Sequence, residues 1–295
     1  MRTTAFVFLM VSLCSAALPA SSGAPVTAPG RVEVVTSIFP LKEFVREVGG
    51  ERVDVSQLLP PGAELHDWQP SARQVIDLNR AGLLVCVGGG LEPWADLAVR
   101  SRRQEGRPVL VVSRGEALVG GDTHIWLDFS RDLKIVDAIR ASLVAIDPSG
   151  AEAYRRGAEA YKEELRALDA RYKAGLTNCA NRTLVTGGHA AFGYLAARYG
   201  LTQVALYGLS PDSEPTPRHL IEVTREVESR RIKAIFFETT VNPALARVLA
   251  KETGAEALPL NDGANLSPEQ SASGMTFLQV MDKNLENLRR GLACR

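Results

Sequence analysis

The chain contains only four histidines, and three of them lie where loops are expected. His66 follows a β-branched run and precedes a helical stretch, His124 lies in a polar segment, and His189 follows a short apolar run. In open α/β proteins, ligands bind in the loops that follow the carboxyl ends of the strands. Imidazole nitrogen is a common ligand of zinc and related metals. A metal site is therefore one interpretation of these three histidines, whereas His219, within a predicted helix, is interpreted as a capping or hydrogen-bonding residue.

The spacing of the three histidines is not diagnostic of a metal site. A zinc-protease motif places two histidines one helical turn apart, whereas these three are scattered along the chain. A single histidine at the end of a strand is more often a hydrogen-bonding residue than a ligand. The spacing alone therefore leaves both a metal site and three separate structural roles open.

Two series of short apolar runs alternate with helical stretches. The first series has predicted strands at 32–37, 53–59 and 83–87, with helices at 42–49 and 71–81. The second series has predicted strands at 182–186, 203–207, 234–237 and 257–260, with helices at 190–199, 217–231 and 243–253. This alternation is typical of βαβ units with a parallel sheet. The sequence therefore predicts an α/β protein with two (β/α) lobes.

Between the two series, apolar residues recur at alternating spacings of four and three, as on one face of a helix. Asp147 is suited to cap this helix, and Pro148 fits its first turn. At 1.5 Å per residue the helix is about 40 Å long, enough to run along both lobes. We predict an N-terminal lobe at 31–146, a single linker helix at 147–177 and a C-terminal lobe at 178–295. The recurring residues are Tyr154, Ala158, Tyr161, Leu165, Leu168 and Tyr172.

The N-terminus has the layout of a secretory signal peptide, with Arg2, an apolar run and then small residues. We assign residues 1–24 to this signal peptide and leader, which predicts a periplasmic or other extracytoplasmic location. A lipid anchor on Cys14 is disfavoured, because Leu13 stands where a small residue is needed. In an oxidising compartment two of the remaining three thiols can pair. Cys86 lies in an apolar run and is expected in the core, which favours a disulfide between Cys179 and Cys294.

The composition excludes some classes of partner. Lysine plus arginine equals aspartate plus glutamate at 34 each, and the isoelectric point is about 6.9. No net positive field is present to attract nucleic acid. With 295 residues, 45% of them hydrophobic, the chain is large enough for roughly two domains. We expect a monomer that does not bind nucleic acid.

Several longer motifs surround the candidate ligands. Nearly the whole chain after the leader resembles the zinc- and manganese-binding solute-binding proteins of bacterial ABC importers, the cluster A-I family. The resemblance rests on segments that occur in the family's order. They are PGAELHDWQP (61–70), GLEPW (90–94), HIWLD (124–128), HAAFGY (189–194), LSPDSEP (209–215) and AIFFE (234–238).

The resemblance implies four metal ligands, namely His66, His124, His189 and a carboxylate from a late loop. This loop reads LPLNDGANL (258–266) and departs from the family pattern, in which the aspartate directly follows the apolar strand and precedes a proline. Strict registration places Asn261 at the ligand position, but asparagine is a poor zinc ligand, so we choose Asp262. Glu238 is the alternative carboxylate. Asp67, Asp128 and Glu64 are sequence neighbours that could accept hydrogen bonds from the imidazoles.

The resemblance also implies the function. A member of this family captures a divalent transition metal and delivers it to the membrane permease of an ABC importer, and it is not an enzyme. Three imidazoles and a carboxylate favour zinc, with manganese possible. The auxiliary histidine-rich loop of many zinc-specific relatives is missing, because residues 101–122 contain no histidine. Two alternatives stay open: a zinc hydrolase with water as the fourth ligand, and a surface adhesin.

Overall fold

Two four-stranded parallel sheets form the framework of the protein, for which a computed structural model describes residues 30–210, 215–238 and 243–295. The first sheet has the order β2-β1-β3-β4 and the second the order β6-β5-β7-β8. The prediction of an α/β protein with two parallel-sheet lobes is confirmed. The strands are β1 (Val32–Thr36), β2 (Val53–Gln57), β3 (Leu83–Cys86), β4 (Val109–Val111), β5 (Thr183–Thr186), β6 (Thr202–Ala205), β7 (Ala234–Phe237) and β8 (Glu256–Pro259).

Ten α-helices connect and cover these strands in the described ranges. None of them is long and apolar enough to cross a membrane. The predicted signal peptide at 1–24 lies outside the described residues. The helices are α1 (Phe39–Gly49), α2 (Ala72–Arg80), α3 (Ala95–Gln104), α4 (Phe129–Ile146), α5 (Ala151–Gly175), α6 (Gly193–Arg198), α7 (Pro217–Ser229), α8 (Ala244–Thr253), α9 (Pro268–Ala272) and α10 (Phe277–Gly291).

The central strands β3 and β5 are buried on both faces. Every residue of β3 is buried, including Cys86, as is every residue of β5. Parallel sheets are covered by helices on both sides, which is why their strands have continuous rather than alternating apolar residues. Because all strands of a sheet run the same way, their carboxyl ends lie at one edge. The loops at these edges carry the candidate ligands.

The long helix α5 has the predicted buried stripe but not the predicted start. All six recurring residues are at most 3% exposed. Asp147 ends α4 instead of capping α5, and Pro148–Gly150 form a 3-10 turn before α5 begins at Ala151. The Asp147 carboxylate accepts hydrogen bonds from Arg52 and Tyr154, both at 2.8 Å, and is therefore not available to the helix. The lobe boundaries at 146 and 178 remain a proposal.

Sequence patterning predicts none of α3, β4, α4, α9 and α10. In α4 the reason is visible, since the buried positions include the acidic residue Asp132 among the apolar ones.

The hydrophobic core joins both lobes. A single cluster of buried side chains includes Val85 of the first sheet, Leu184 of the second, and Leu165 of α5. A smaller cluster covers the other face of each sheet.

The predicted disulfide between Cys179 and Cys294 is present and joins the residues after α5 to the C-terminus. It closes a loop of 115 residues and therefore restricts the unfolded chain. We expect the double variant Cys179→Ser, Cys294→Ser to lose about 2–5 kcal/mol of unfolding free energy in urea titrations. Binding at the predicted metal site should not change, because Cys179 lies before β5 whereas His189 follows it, at the other end of the strand. An unchanged urea midpoint would contradict this expectation.

Candidate metal centre

The candidate ligands lie in four loops at the edges of the two sheets. His66 lies between β2 and α2, and His124 precedes the 3-10 turn Ile125–Leu127 that leads into α4. His189 lies between β5 and α6, and Asp262 between β8 and α9. His124, His189 and Asp262 are at most 5% exposed, and His66 is mostly buried. Two lobes thus contribute to one buried group of side chains.

The three histidines bring their Nε2 atoms together. The distance from the Nε2 of His189 is 3.1 Å to that of His124 and 3.4 Å to that of His66. Two imidazole nitrogens that bind one tetrahedral zinc, each at about 2.0–2.1 Å, lie about 3.3 Å apart. The two distances from His189 therefore match edges of a zinc coordination tetrahedron, and the ligand atoms of all three histidines lie within 4.8 Å of one another.

Asp122 fixes the orientation of His124. Its Oδ1 atom accepts a hydrogen bond from the backbone N–H of His124 at 2.9 Å, and it lies 2.8 Å from Nδ1 of the ring. An Nδ1–H donated to a carboxylate leaves the Nε2 lone pair free to bind a metal. Asp122 was not among the residues predicted from sequence. Its position two residues before a histidine, which Glu64 shares with His66, is a signal that could have identified it.

Glu238 orients His189 in the same way as Asp122 orients His124. Its Oε1 atom accepts a hydrogen bond from the backbone N–H at 2.8 Å and lies 2.9 Å from Nδ1. Burial lowers the pKa of His189, but the hydrogen bond to Glu238 and the charges of Glu238 and Asp262 outweigh it, so the net shift is upward. Gly188 permits this approach, since a Cβ there would clash with Oε1 of Glu238.

Asp262 is close to this group but is not equally near to every histidine. Within the described ranges, ligand atoms lying within 4.8 Å of one another form two clusters that share His189. One cluster contains the three histidines, and the other contains His189, Glu238 and Asp262. Burial raises the pKa of Asp262, as does the charge of Glu238, while the two neighbouring histidines oppose the shift. A bound cation would stabilise the charged form of this carboxylate.

Asn261 and Glu238, the two alternatives to Asp262 as the fourth ligand, make contacts of different kinds. The Oδ1 atom of Asn261 accepts a hydrogen bond from the backbone N–H of Gly263 at 2.6 Å, within its own loop. Glu238 directs Oε1 at His189, as described above. Asp262 accepts the backbone N–H of Ala264 through Oδ1 at 3.0 Å. A carboxylate has further acceptor sites, so this bond leaves Asp262 able to coordinate.

The remaining sequence candidates lie at different distances from the histidines. Glu64 is near His66, with Oε2 accepting its backbone N–H at 2.8 Å and Oε1 4.0 Å from its Nε2. Burial raises the pKa of Glu64 to about 7. Asp128 instead caps α4 and pairs with Arg198 at 3.0 Å. His219 is a hydrogen-bonding residue as predicted, with Nε2 2.9 Å from the carbonyl oxygen of Ala205.

Comparison with known proteins identifies zinc-binding and zinc-uptake proteins as relatives of this chain. A family model described as zinc-uptake complex component A, periplasmic (ZnuA), matches residues 34–291. The chain is 36% identical to the zinc-binding lipoprotein AdcA of Streptococcus pneumoniae over 96% of its own length, but it spans only 60% of that protein. It is 30% identical to the high-affinity zinc uptake system protein ZnuA of Bacillus subtilis, covering 97% of this chain and 94% of that protein.

Solved structures agree with this comparison. The Zn(II)-bound ZnuA-like domain of Streptococcus pneumoniae AdcA superposes with a TM-score of 0.80 at 36% identity, over 89% of this chain and 99% of that one. The laminin-binding protein Lmb of Streptococcus agalactiae, described as bifunctional with adhesin and metal transporting activity, superposes with a TM-score of 0.80 at 33% identity, over 88% and 99%. Since the family model spans most of the described chain, the protein belongs to the family described as zinc-uptake complex component A, periplasmic (ZnuA).

Proposed function

We propose that this protein captures zinc outside the cytoplasm and delivers it to the membrane permease of an ABC importer. The observation that carries the proposal is the convergence of three Nε2 atoms at 3.1 and 3.4 Å. Lone pairs so close repel one another unless a proton or a metal lies between them. Two of the rings have Nδ1 beside a buried carboxylate, which turns their lone pairs towards the shared centre.

We propose His66, His124, His189 and Asp262 as the ligands. Three imidazole nitrogens and one carboxylate oxygen suit zinc, whereas manganese prefers a site richer in oxygen. Four protein ligands also leave no open position for an activated water, so a hydrolase is not favoured. The family description, zinc uptake, supports the same choice.

The partner and the location are carried over from relatives. The family description places its members in the periplasm, and the Bacillus subtilis relative of similar length is named as part of a zinc uptake system. We propose a monomer exported by the signal peptide at 1–24. The relative from Streptococcus pneumoniae is named a lipoprotein, so a mass measurement of the exported protein should distinguish a free chain from one lipidated at Cys14.

A role as an adhesin is a second candidate, because the similar protein Lmb is described as bifunctional. Adhesion would require a surface that binds a host or matrix protein whether or not zinc is present. The buried arrangement of the histidines gives no support to such a role. Metal capture therefore remains the primary proposal.

Titration of the metal-free protein tests this proposal. After treatment with a chelator, the exported chain should bind one zinc ion tightly in a calorimetric titration, and manganese much more weakly. The reason is that three of the four proposed ligands are nitrogen atoms. The absence of a tight zinc site would sink the proposal, and tighter binding of manganese than of zinc would reassign the metal.

A further inference from the structure

The loop between β8 and α9, residues 260–267, is bonded to the opposite lobe. The backbone N–H of Phe39 donates to the carbonyl oxygen of Ala264 at 3.0 Å, and the N–H of Gly62 donates to that of Leu266 at 2.8 Å. The indole N–H of Trp126 donates to the carbonyl oxygen of Asp262 at 2.7 Å. The loop that carries Asp262 therefore follows the second sheet in sequence and is bonded to both lobes, since the backbone of Asn261 also bonds to Asn284 of α10.

The side chain of Asn265 lies at the centre of this contact and is only 3% exposed. Its Nδ2 atom donates to the carbonyl oxygens of Pro60 at 2.8 Å and Ala63 at 2.9 Å. Its Oδ1 atom accepts from Nε2 of Gln57 at 3.2 Å and from the backbone N–H of Leu266 at 3.0 Å. Both amide hydrogens and the carbonyl oxygen are thus hydrogen-bonded. Three of these four hydrogen bonds are made with groups of the first lobe.

These bonds connect the two loops that carry proposed ligands. Pro60 and Ala63 belong to the loop between β2 and α2, and Ala63 lies three residues before His66. Asn265 lies three residues after Asp262. A buried amide with every group bonded holds its partners in one geometry, because leaving any of these groups buried and unpaired is unfavourable.

We propose that Asn265 is a positioning residue for zinc retention, an inference that rests on the proposed zinc site. Its amide fastens the loop that carries His66 onto the loop that carries Asp262, so that both side chains face one ion. It does not touch the metal. Without it, His66 and Asp262 can separate while both lobes stay folded, and the ion should leave more readily.

The variant Asn265→Asp tests this inference with almost no change of shape. It keeps an oxygen for Gln57 and Leu266 but places a second oxygen against the carbonyl groups of Pro60 and Ala63. We expect zinc affinity to fall about 10- to 100-fold, as is typical when a residue that orients ligands is lost. Most of this loss should appear as faster zinc dissociation, measured by mixing the loaded protein with a chelator.

The matched control is Asn287→Asp on α10. The amide of Asn287 donates to the carbonyl oxygen of Pro259 at 2.9 Å, at the end of β8 directly before the same loop but within its own lobe. It should lower stability without changing zinc dissociation. The visible spectrum of cobalt-loaded protein gives a separate readout, because absorption typical of a four-coordinate site should weaken in Asn265→Asp and persist in Asn287→Asp.

Two results would overturn the inference: dissociation and cobalt absorption in Asn265→Asp that equal those of the wild type, or the same changes in both variants. If Asn265→Asp does not fold, Gln57→Met removes the amide that donates to Asn265, and an unchanged dissociation rate there would contradict the inference equally. Failure of the wild type to bind zinc would instead contradict the proposed function.

Discussion

Replacing His189 by alanine should weaken zinc binding about 100-fold. His189 is the one residue shared by both clusters of ligand atoms, and its Nε2 lies within 3.4 Å of the other two. Zinc sites with four ligands release about 10–16 kcal/mol, so a share of about 3 kcal/mol per ligand corresponds to about a 100-fold higher Kd. Calorimetric titration of the metal-free variant with zinc, with chelator competition if binding is tight, measures the change.

His219→Ala is the control for this experiment. It also removes one imidazole, but His219 lies on α7 and bonds to the carbonyl oxygen of Ala205. Its zinc affinity should equal that of the wild type. If His189→Ala bound zinc as tightly as His219→Ala does, the three converging histidines would not be the metal site.

Replacing Asp262 by alanine should weaken zinc binding by a similar factor, about 100-fold, because it removes one of four proposed ligands. Glu238→Gln should have a smaller effect, about 10-fold, at the low end of the range for groups that orient a ligand. The glutamine keeps an oxygen that can accept from Nδ1 of His189. Parallel calorimetric titrations of both variants distinguish the two carboxylates.

The order of the two effects decides the assignment. A larger loss in Glu238→Gln than in Asp262→Ala would make Glu238 the fourth ligand. If neither variant differed from the wild type, the site would consist of histidines alone and its fourth position would be open to water. That outcome would restore the zinc hydrolase as a candidate, since an open position is typical of catalytic zinc.

The proposed site has a structural consequence for the two lobes. His66 and His124 follow elements of the first sheet, whereas His189 follows the second sheet, so a bound ion stabilises their contact. Arg198 of α6 adds a further link, because it pairs with Asp128 at 3.0 Å and with Asp169 of α5 at 2.7 Å. The ion pairs are partly exposed and should contribute less than the metal.

The class of fold and the candidate histidine ligands follow from local patterns in the sequence. Burial on both faces makes parallel strands continuously apolar, and burial on one face gives α5 its spacing of three and four. These patterns are local, so they can be read without coordinates. The same holds for the placement of His66 and His189 after strands, and for the resemblance carried by the motifs around them.

Contacts between groups that are distant in sequence become visible in the folded chain alone. Arg52, which lies 95 residues earlier in the chain, donates a hydrogen bond to the carboxylate of Asp147. Asp147 therefore does not cap α5, and this helix begins later than the cap signal predicts. Glu238 reaches His189 across 49 residues, and Asn265 reaches Pro60 across 205. No local pattern marks such contacts, because they depend on how loops from separate sheets approach. The partners of the imidazoles and the connection between the two ligand loops are therefore properties of the folded chain.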